Sequence, residues 1–222
     1  EDGIRDLVRS RGLGDVYKRQ TDNKVSTNAI AEEINTTPAS VSDMLKKLEE
    51  KKLIKYEKYK GVKLSKKGKS LAISIIRKHR LWETFLVKKL KFEWSEVHEI
   101  AEQLEHIKSS ELIDRIEKHL NYPKFDPHGE PIPSKEGKLP IAKNIALINL
   151  QYNDKAKIMG VSLDDKDFLD YLTKLKISIG TELKVIEKIK ESVSYSRNFT
   201  DDVESGCFDN MNKDCLLYTS PS

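Results

Sequence analysis

Residues 26–54 read STNAIAEEINTTPASVSDMLKKLEEKKLI, and this stretch decides the fold. Ser26 is a good N-cap residue for a first helix over residues 27–34. After a short break, Thr37 can cap a second helix that begins with Pro38 and runs to about residue 51. The apolar stripe of this second helix consists of Val41, Met44, Leu45 and Leu48. Two short helices joined by a tight turn predict a helix-turn-helix.

The residues that follow predict a basic hairpin. Residues 53–56 and 62–64 read as two strands around Gly61, which is typical of the wing of a winged helix. Lysines cluster in and after this hairpin, at Lys58, Lys60, Lys63, Lys66, Lys67 and Lys69. Runs of lysine are commonly a solvated face, but beside a helix-turn-helix they favour contacts with DNA phosphates.

The second helix supplies the side chains that we expect to contact DNA. Residues early in such a helix reach base edges, whereas small residues at its start allow close approach and later lysines meet phosphates. A solvent-facing helix residue is the alternative for each of them. The predicted DNA-contacting residues are Thr37, Pro38, Ala39, Ser40, Ser42, Asp43, Lys46, Lys47, and Lys60 and Lys63 of the wing.

The next two predicted helices each carry imidazole and carboxylate groups on one face. A helix over residues 66–90, capped by Ser65, holds His79 and Glu83 one turn apart. A helix over about residues 96–108, capped by Ser95, repeats the pattern with His98, Glu102, Glu105 and His106. Two such faces can close around one or two divalent ions. Imidazole with carboxylate suits Mn, Fe, Co, Ni or Zn better than Ca or Mg.

The rest of the chain predicts a dimer surface and a separate module. A third helix is expected over residues 111–120, and its apolar residues together with those of the preceding helices exceed what one small unit needs, which indicates a homodimer interface. A proline-rich linker follows over residues 122–139, where we expect His128 to be structural. Strands over residues 146–150, 156–158 and 183–186, with a helix over 165–175, then predict a small β-barrel.

Composition narrows the class of protein. The 222 residues are 34% charged and 37% hydrophobic, with a net charge of +4 and two cysteines. No apolar run approaches the ~20 residues that span a membrane, and no signal peptide is evident, so a cytoplasmic location without membrane contact is expected. A dinuclear metalloenzyme is the alternative function, but HExxH, GxSxG and P-loop motifs are absent. A DNA-binding protein with a purely structural metal is the weaker third possibility.

Both ends of the chain look foreign to the rest. Residues 1–20 lack periodicity, and LVRSRGLGDVYKRQ at 7–20 resembles translated adapter sequence, as does CLLYTSPS at 215–222. Both segments are therefore predicted to be non-native, which truncates the first native helix. The domains are then expected at residues 21–68 for the winged helix, 69–140 for the helical domain and its linker, and 141–214 for the C-terminal module.

Three stretches of the chain resemble the DtxR/MntR family of metal-dependent transcriptional regulators. They are residues 26–54, quoted above, RKHRLWETFLVKKL at 77–90, and EVHEIAEQLEHIKSSELIDRIEKHLNYPKFDPHGEPIP at 96–133. The resemblance implies a mainly α protein: a winged helix-turn-helix, a helical metal-binding and dimerisation domain, and an SH3-like (FeoA-like) C-terminal barrel. It also implies a homodimeric repressor of metal-ion homeostasis genes that binds a palindromic DNA operator when metal-loaded.

The resemblance also implies how the ligands divide. His79, Glu83 and His98 match one family metal site, whereas Glu102, Glu105 and His106 match the other. Iron-type members have Cys at position 102, so Glu102 indicates Mn(II) as the effector, with Fe(II) as the alternative. Members of the family complete their sites with residues from the first helix, upstream of Thr21. A family contribution from the third domain falls, by spacing, on Asp164 and Asp167.

Overall fold

The computed structural model describes residues 26–33, 36–57, 61–141, 144–161, 166–189, 192–197, 205–208 and 217–221. The chain divides into two compact units. The first comprises residues 1–78 with 133–138, and the second comprises residues 79–132 with 139–222. The candidate metal ligands on the helices, from His79 to His106, therefore belong to the same unit as the C-terminal strands.

The helix-turn-helix predicted from residues 26–54 is confirmed. Helix α1 (Thr27–Glu33) is followed by α2 (Pro38–Glu50). The Thr37 hydroxyl oxygen accepts a hydrogen bond from the Ser40 amide at 3.2 Å, which satisfies one of the free amides of the first turn. On α1, Ile30 and Ala31 are buried, whereas Ala29 is exposed. The buried core consists of Ile30, Ala31, Val41, Leu45, Leu48, Leu53, Ile54 and Val62.

The wing is a two-stranded antiparallel hairpin. Strand β1 (Ile54–Glu57) pairs with β2 (Gly61–Leu64), with Ile54 opposite Leu64. The long helix α3 (Lys66–Leu90) starts directly after it, where the Gly68 amide donates to the Ser65 hydroxyl oxygen at 3.0 Å. A Cβ atom on Gly68 would lie 1.9 Å from the carbonyl oxygen of Leu53, the residue before β1, so α3 packs too closely on this backbone to admit a side chain at position 68.

Two shorter helices complete the helical part. Helix α4 (Val97–Leu104) and helix α5 (Ser110–His119) are joined by a turn in which Ser109 caps α5. The helix predicted over about residues 96–108 begins one residue later than expected, but the prediction was wrong at its end, since α4 stops at Leu104. Ser95 does not cap this helix. The apolar core here consists of Leu81, Trp82, Leu86, Val97, Ala101, Ile113, Ile116, Leu120 and Ile132.

The C-terminal part is an antiparallel sheet with one helix. Its strands are β3 (Ile145–Ala146), β4 (Lys155–Val161), β5 (Glu182–Ile189), β6 (Ser192–Arg197), β7 (Ser205–Phe208) and β8 (Leu217–Pro221), in the order β3-β8-β4-β5-β6-β7. Helix α6 (Lys166–Lys174) covers a core that includes Phe168, Leu169, Leu172 and Ile158. The predicted strand over 146–150 was wrong beyond Ala146, because Leu147–Asn149 form a 3-10 helix.

Strand β8 falls within residues 215–222, the C-terminal segment predicted to be non-native. It pairs with both β3 and β4. Among the described residues, no helix combines the length and the apolar character needed to cross a membrane.

Candidate metal centre and DNA-contacting helix

Side chains from α3 and α4 meet in a cluster of two histidines and one glutamate. His79 and Glu83 lie one turn apart on α3, and His98 lies in the first turn of α4. Nε2 of His79 is 3.1 Å from Glu83 Oε1 and 3.3 Å from His98 Nδ1. Nδ1 of His98 is in turn 3.4 Å from the same Glu83 oxygen. The structure thus brings three of the predicted ligands together.

The geometry of this cluster fits a first-row divalent ion. Donor atoms that each lie about 2.1 Å from one ion are separated by roughly 3.0–3.4 Å at octahedral to tetrahedral angles. The three separations observed, 3.1, 3.3 and 3.4 Å, fall in or at the edge of that interval. Two imidazole nitrogens and a carboxylate oxygen are also the donor types that Mn, Fe and Zn accept.

A second group of candidate ligands shares Glu83. One donor atom each of Glu83, Asp126 and His128 lies within 4.8 Å of the others, and all three residues are buried. Nδ1 of His128 is 3.7 Å from Glu83 Oε2, whereas His79 contacts the other oxygen of this carboxylate, Oε1. Nε2 of His128 is 2.8 Å from the Trp94 carbonyl oxygen, so Nε2 carries the proton and donates it there. Nδ1 is then the ring atom that can bind a metal.

Burial and charge shift the pKa values of this cluster strongly. Burial of His79 disfavours its charged form, but the Glu83 charge and hydrogen bonds to Glu105 and Glu83 raise its pKa to about 10. Burial also lowers the pKa of His128, but its hydrogen bond to Glu83 and the Glu83 charge outweigh this effect and raise the pKa to about 10. Burial opposes ionisation of Glu83 as well, yet the His79 charge and the histidine hydrogen bonds hold its pKa well below the usual range. Protons therefore occupy the positions that a metal ion would take.

A buried arginine fixes the turn that carries the second group. Arg80, next to His79 on α3, donates to Glu130 Oε2 at 2.6 Å and to the Pro131 carbonyl at 2.5 Å. Its Nε lies 3.6 Å from Asp126 Oδ2. Asp126 Oδ1 accepts the backbone amides of His128 and Glu130 at 2.8 and 2.9 Å. Burial and the Glu83 charge raise the pKa of Asp126 to about 7.

Of the other predicted ligands, Glu102 and Glu105 adjoin the first group without belonging to it. Glu105 Oε2 is 3.0 Å from His79 Nδ1, and Glu102 Oε1 is 3.4 Å from His98 Nε2. His106 is exposed in the turn after α4. Glu105 and Glu102 therefore lie next to His79 and His98. The resemblance had instead assigned these two glutamates to a separate metal site. Asp167 is exposed on α6, and Asp164 lies outside the described residues.

Asp126 and His128 were not among the predicted ligands. His128 was expected to be structural, and the structure buries it against Glu83. The signal was present in the sequence as the DPHG turn at residues 126–129. Helical spacing could not relate this turn to Glu83, because the two lie more than 40 residues apart and meet only through the tertiary fold.

The residues predicted to contact DNA form an exposed face of α2. Thr37, Pro38, Ala39, Ser40, Asp43, Lys46 and Lys47 are exposed, and Ser42 is half-buried. The Ser42 hydroxyl donates to the Pro38 carbonyl at 2.8 Å, and Lys46 Nζ lies 3.1 Å from Asp43 Oδ1. Lys63 is exposed on β2, whereas Lys60 lies outside the described residues.

Family models match both functional parts of the chain. Residues 13–62 match the model described as iron dependent repressor, N-terminal DNA binding domain, and residues 65–134 match iron dependent repressor, metal binding and dimerisation domain. The first match begins inside the segment 1–20 that was predicted to be non-native.

Several curated relatives are named as iron-dependent repressors or diphtheria toxin repressors. The chain is 31% identical over 156 residues to the iron-dependent repressor IdeR of Mycobacterium leprae, covering 66% of this chain and 68% of that protein. It is 38% identical over 104 residues to IdeR of Mycobacterium bovis, covering 47% of this chain and 45% of that relative. The diphtheria toxin repressor of Corynebacterium glutamicum is 27% identical over 204 residues, covering 83% of this chain and 87% of that protein.

Solved structures with the same fold include manganese regulators. A manganese-dependent transcriptional repressor in complex with manganese matches with a TM-score of 0.80 at 29% identity, covering 99% of this chain and all of that one. The manganese regulator SloR matches with a TM-score of 0.71 at 30% identity, covering all of this chain and 97% of that one. All of these relatives are named as repressors or regulators. Together with the winged helix and the histidine–glutamate cluster, these matches show that the chain belongs to the iron-dependent (DtxR/MntR) repressor family.

Proposed function

We propose that this chain is a metal-dependent DNA-binding transcriptional repressor that controls genes of metal-ion homeostasis, with Mn(II) as its effector. The observation that best supports this proposal is that the Glu83 carboxylate is buried. One of its oxygens faces His79 and His98, and the other faces His128. A bound divalent ion would supply the positive charge that His79 and His128, whose pKa values are raised, supply in its absence.

The ligands we propose are the predicted six together with two that the fold adds. They are His79, Glu83, His98, Glu102, Glu105 and His106, with Asp126 and His128; Asp164 and Asp167 remain weaker candidates. Glu83 is the shared ligand, Arg80 holds the turn that carries Asp126, and the Trp94 carbonyl fixes the proton on His128.

Mn(II) is favoured over Fe(II) by the ligand set. Glu102 provides a hard carboxylate where iron-type relatives have a sulfur ligand, and Mn(II) favours oxygen ligands. Solved relatives named for manganese support the same choice. Iron remains the second candidate, because the curated relatives are named iron-dependent.

DNA binding is proposed for the exposed face of α2 with the wing. Ser40, Ser42 and Asp43 are placed for base edges, with Thr37, Pro38 and Ala39 at the start of the helix. Lys46, Lys47, Lys60 and Lys63 are proposed for phosphates. A homodimer on a palindromic operator follows from the family's dimerisation domain and from the two-fold symmetry of such sites. Acting on DNA, the protein would work in the cytoplasm.

The test is a fluorescence anisotropy titration on DNA that the Mn(II)-loaded protein selects from a random pool. Affinity is expected to fall between about 5- and 150-fold when Mn(II) is removed with a chelator, the usual range of coupling between two sites. Equal affinity with and without Mn(II) would contradict the proposal. Cooperative unfolding on chelation would indicate the structural-metal alternative.

A further inference from the structure

The turn that carries His128 packs directly on a strand of the C-terminal module. The Val161 amide, at the end of β4, donates to the His128 carbonyl at 2.8 Å. Both groups are buried, so this backbone bond is shielded from water and fixes the position of the His128 main chain relative to the sheet.

Two glycines allow this close approach. Gly129 has a φ of +85°, and a Cβ atom there would lie 2.1 Å from the Met159 carbonyl oxygen and 2.2 Å from Gly160 Cα. A Cβ atom on Gly160 would lie 3.2 Å from the His128 carbonyl oxygen. The strand and the turn therefore touch backbone to backbone. A methyl group on Gly160 would push them apart by a few tenths of an ångström, whereas one on Gly129 would overlap the Met159 and Gly160 backbone.

A tryptophan makes the second connection. The Trp94 ring stacks on His128 with centroids 6.2 Å apart and planes 13° apart, and its carbonyl accepts the His128 Nε2 proton. The same Trp94 donates its indole N–H to Thr173 Oγ1 on α6 at 2.9 Å. Thr173 can accept this bond because its own hydroxyl proton goes to the Leu169 carbonyl at 2.9 Å.

We propose that Gly160 and Thr173 are positioning residues for the metal centre, through which the C-terminal module sets the affinity of the group formed by Glu83, Asp126 and His128. The inference rests on the proposed function, since it needs a metal to bind there. Neither residue carries a ligand atom. Gly160 lets β4 approach closely enough for the Val161 amide to hold the His128 carbonyl, and Thr173 fixes the indole that lies against the His128 ring.

The physical reason is the narrow tolerance of a metal site. Ligand distances must hold within about 0.2 Å, and His128 Nδ1 reaches Glu83 from a turn that has no regular secondary structure of its own. Groups that orient a histidine ligand affect metal affinity by about 10- to 100-fold when they are lost. Here the orienting groups come from the C-terminal sheet and helix.

The test compares Thr173→Val with Thr173→Ser in the full chain, by calorimetric titration with Mn(II) and thermal unfolding of the metal-free protein. Valine keeps the shape of threonine but cannot accept the indole proton, whereas serine can. We expect a severalfold loss of Mn(II) affinity for Thr173→Val, restoration by Thr173→Ser, and metal-free melting temperatures close to wild type. Gly160→Ala is expected to lower Mn(II) affinity about tenfold.

Each outcome separates this inference from the proposed function. Normal Mn(II) binding by wild type and an unchanged affinity in Thr173→Val and Gly160→Ala would overturn the positioning role alone. A lower melting temperature with unchanged Mn(II) affinity would assign both residues a structural role only, which also overturns it. Absence of Mn(II) binding by the wild-type chain would instead overturn the proposed function itself.

Discussion

Glu83 and Asp43 are both carboxylates beside cationic groups, yet their surroundings differ in every respect that matters. Glu83 is buried with His79, His98 and His128 around it, whereas the Asp43 side chain is 71% exposed beside Lys46 on the surface of α2. A buried charge that loses its partners costs about 3–5 kcal/mol, while an exposed pair contributes about 0.2–1 kcal/mol. The proposed metal centre is therefore expected to be sensitive to single changes, and the proposed DNA-contacting face is expected to tolerate them.

The largest effect is expected at Glu83. Glu83→Gln removes the charge shared by two candidate ligand groups, and we expect Mn(II) affinity to fall roughly 1000-fold, beyond the 10- to 100-fold that changes around a ligand cost. Calorimetric titration with Mn(II) measures it. Glu99→Gln is the matched control, because Glu99 is exposed beside His98 on the same helix. Similar losses in both variants would contradict a specific role for Glu83.

The next effect is expected in the core beneath the DNA-contacting face. Leu45 is fully buried in the helix-turn-helix, so Leu45→Ala should lower the free energy of unfolding by about 3 kcal/mol. Urea unfolding followed by circular dichroism measures it. Since Leu45 and the metal cluster belong to different compact units, Mn(II) affinity should stay within about twofold of wild type. A parallel loss of Mn(II) affinity would show that Leu45 supports the metal-binding residues as well as the core of the helix-turn-helix.

A smaller effect is expected at the cap of α2. Thr37→Ala removes the oxygen that accepts the Ser40 amide and should lower the free energy of unfolding by about 1 kcal/mol. Thr37→Ser keeps that oxygen and is expected to unfold like wild type in the same urea experiment. A Thr37→Ser variant as unstable as Thr37→Ala would mean that the cap is not what stabilises the helix start.

The smallest effect is expected on the exposed face itself. Lys47→Ala should weaken DNA binding only severalfold, and should reduce the slope of log affinity against log salt concentration by about 1, the value for one phosphate contact. Anisotropy titrations at several salt concentrations measure this slope. Lys118, exposed at the end of α5, provides the control Lys118→Ala. An unchanged slope in Lys47→Ala would remove Lys47 from the DNA interface.

The same contrast explains what the sequence could predict. The caps at Ser26 and Thr37, the Pro38 start and the strand pairing of the wing follow from contacts within a few residues, so local rules located α1, α2, β1 and β2. His79 and Glu83 were found for the same reason, since helical spacing alone places them together.

The remainder depends on contacts between distant residues. The approach of His128 to Glu83 requires the Arg80 ion pairs and the backbone contact of Gly129 with Gly160, none of which has a periodic signal. Likewise, α4 ends at Leu104 because Ser109 caps the next helix, although the helical pattern of charged residues continues to His106. Residue spacing predicted which residues share a helix face, but it did not predict where α4 ends.

The proposed function requires that metal binding and DNA binding are thermodynamically linked. The most direct test of this linkage is to measure the Mn(II) affinity of the protein with and without bound DNA. If metal binding raises DNA affinity, DNA must raise Mn(II) affinity by the same factor, because the coupling free energy is reciprocal. We predict equal factors, of about 5- to 150-fold, from calorimetric Mn(II) titrations and from DNA titrations. An Mn(II) affinity that is the same with and without DNA would contradict the account.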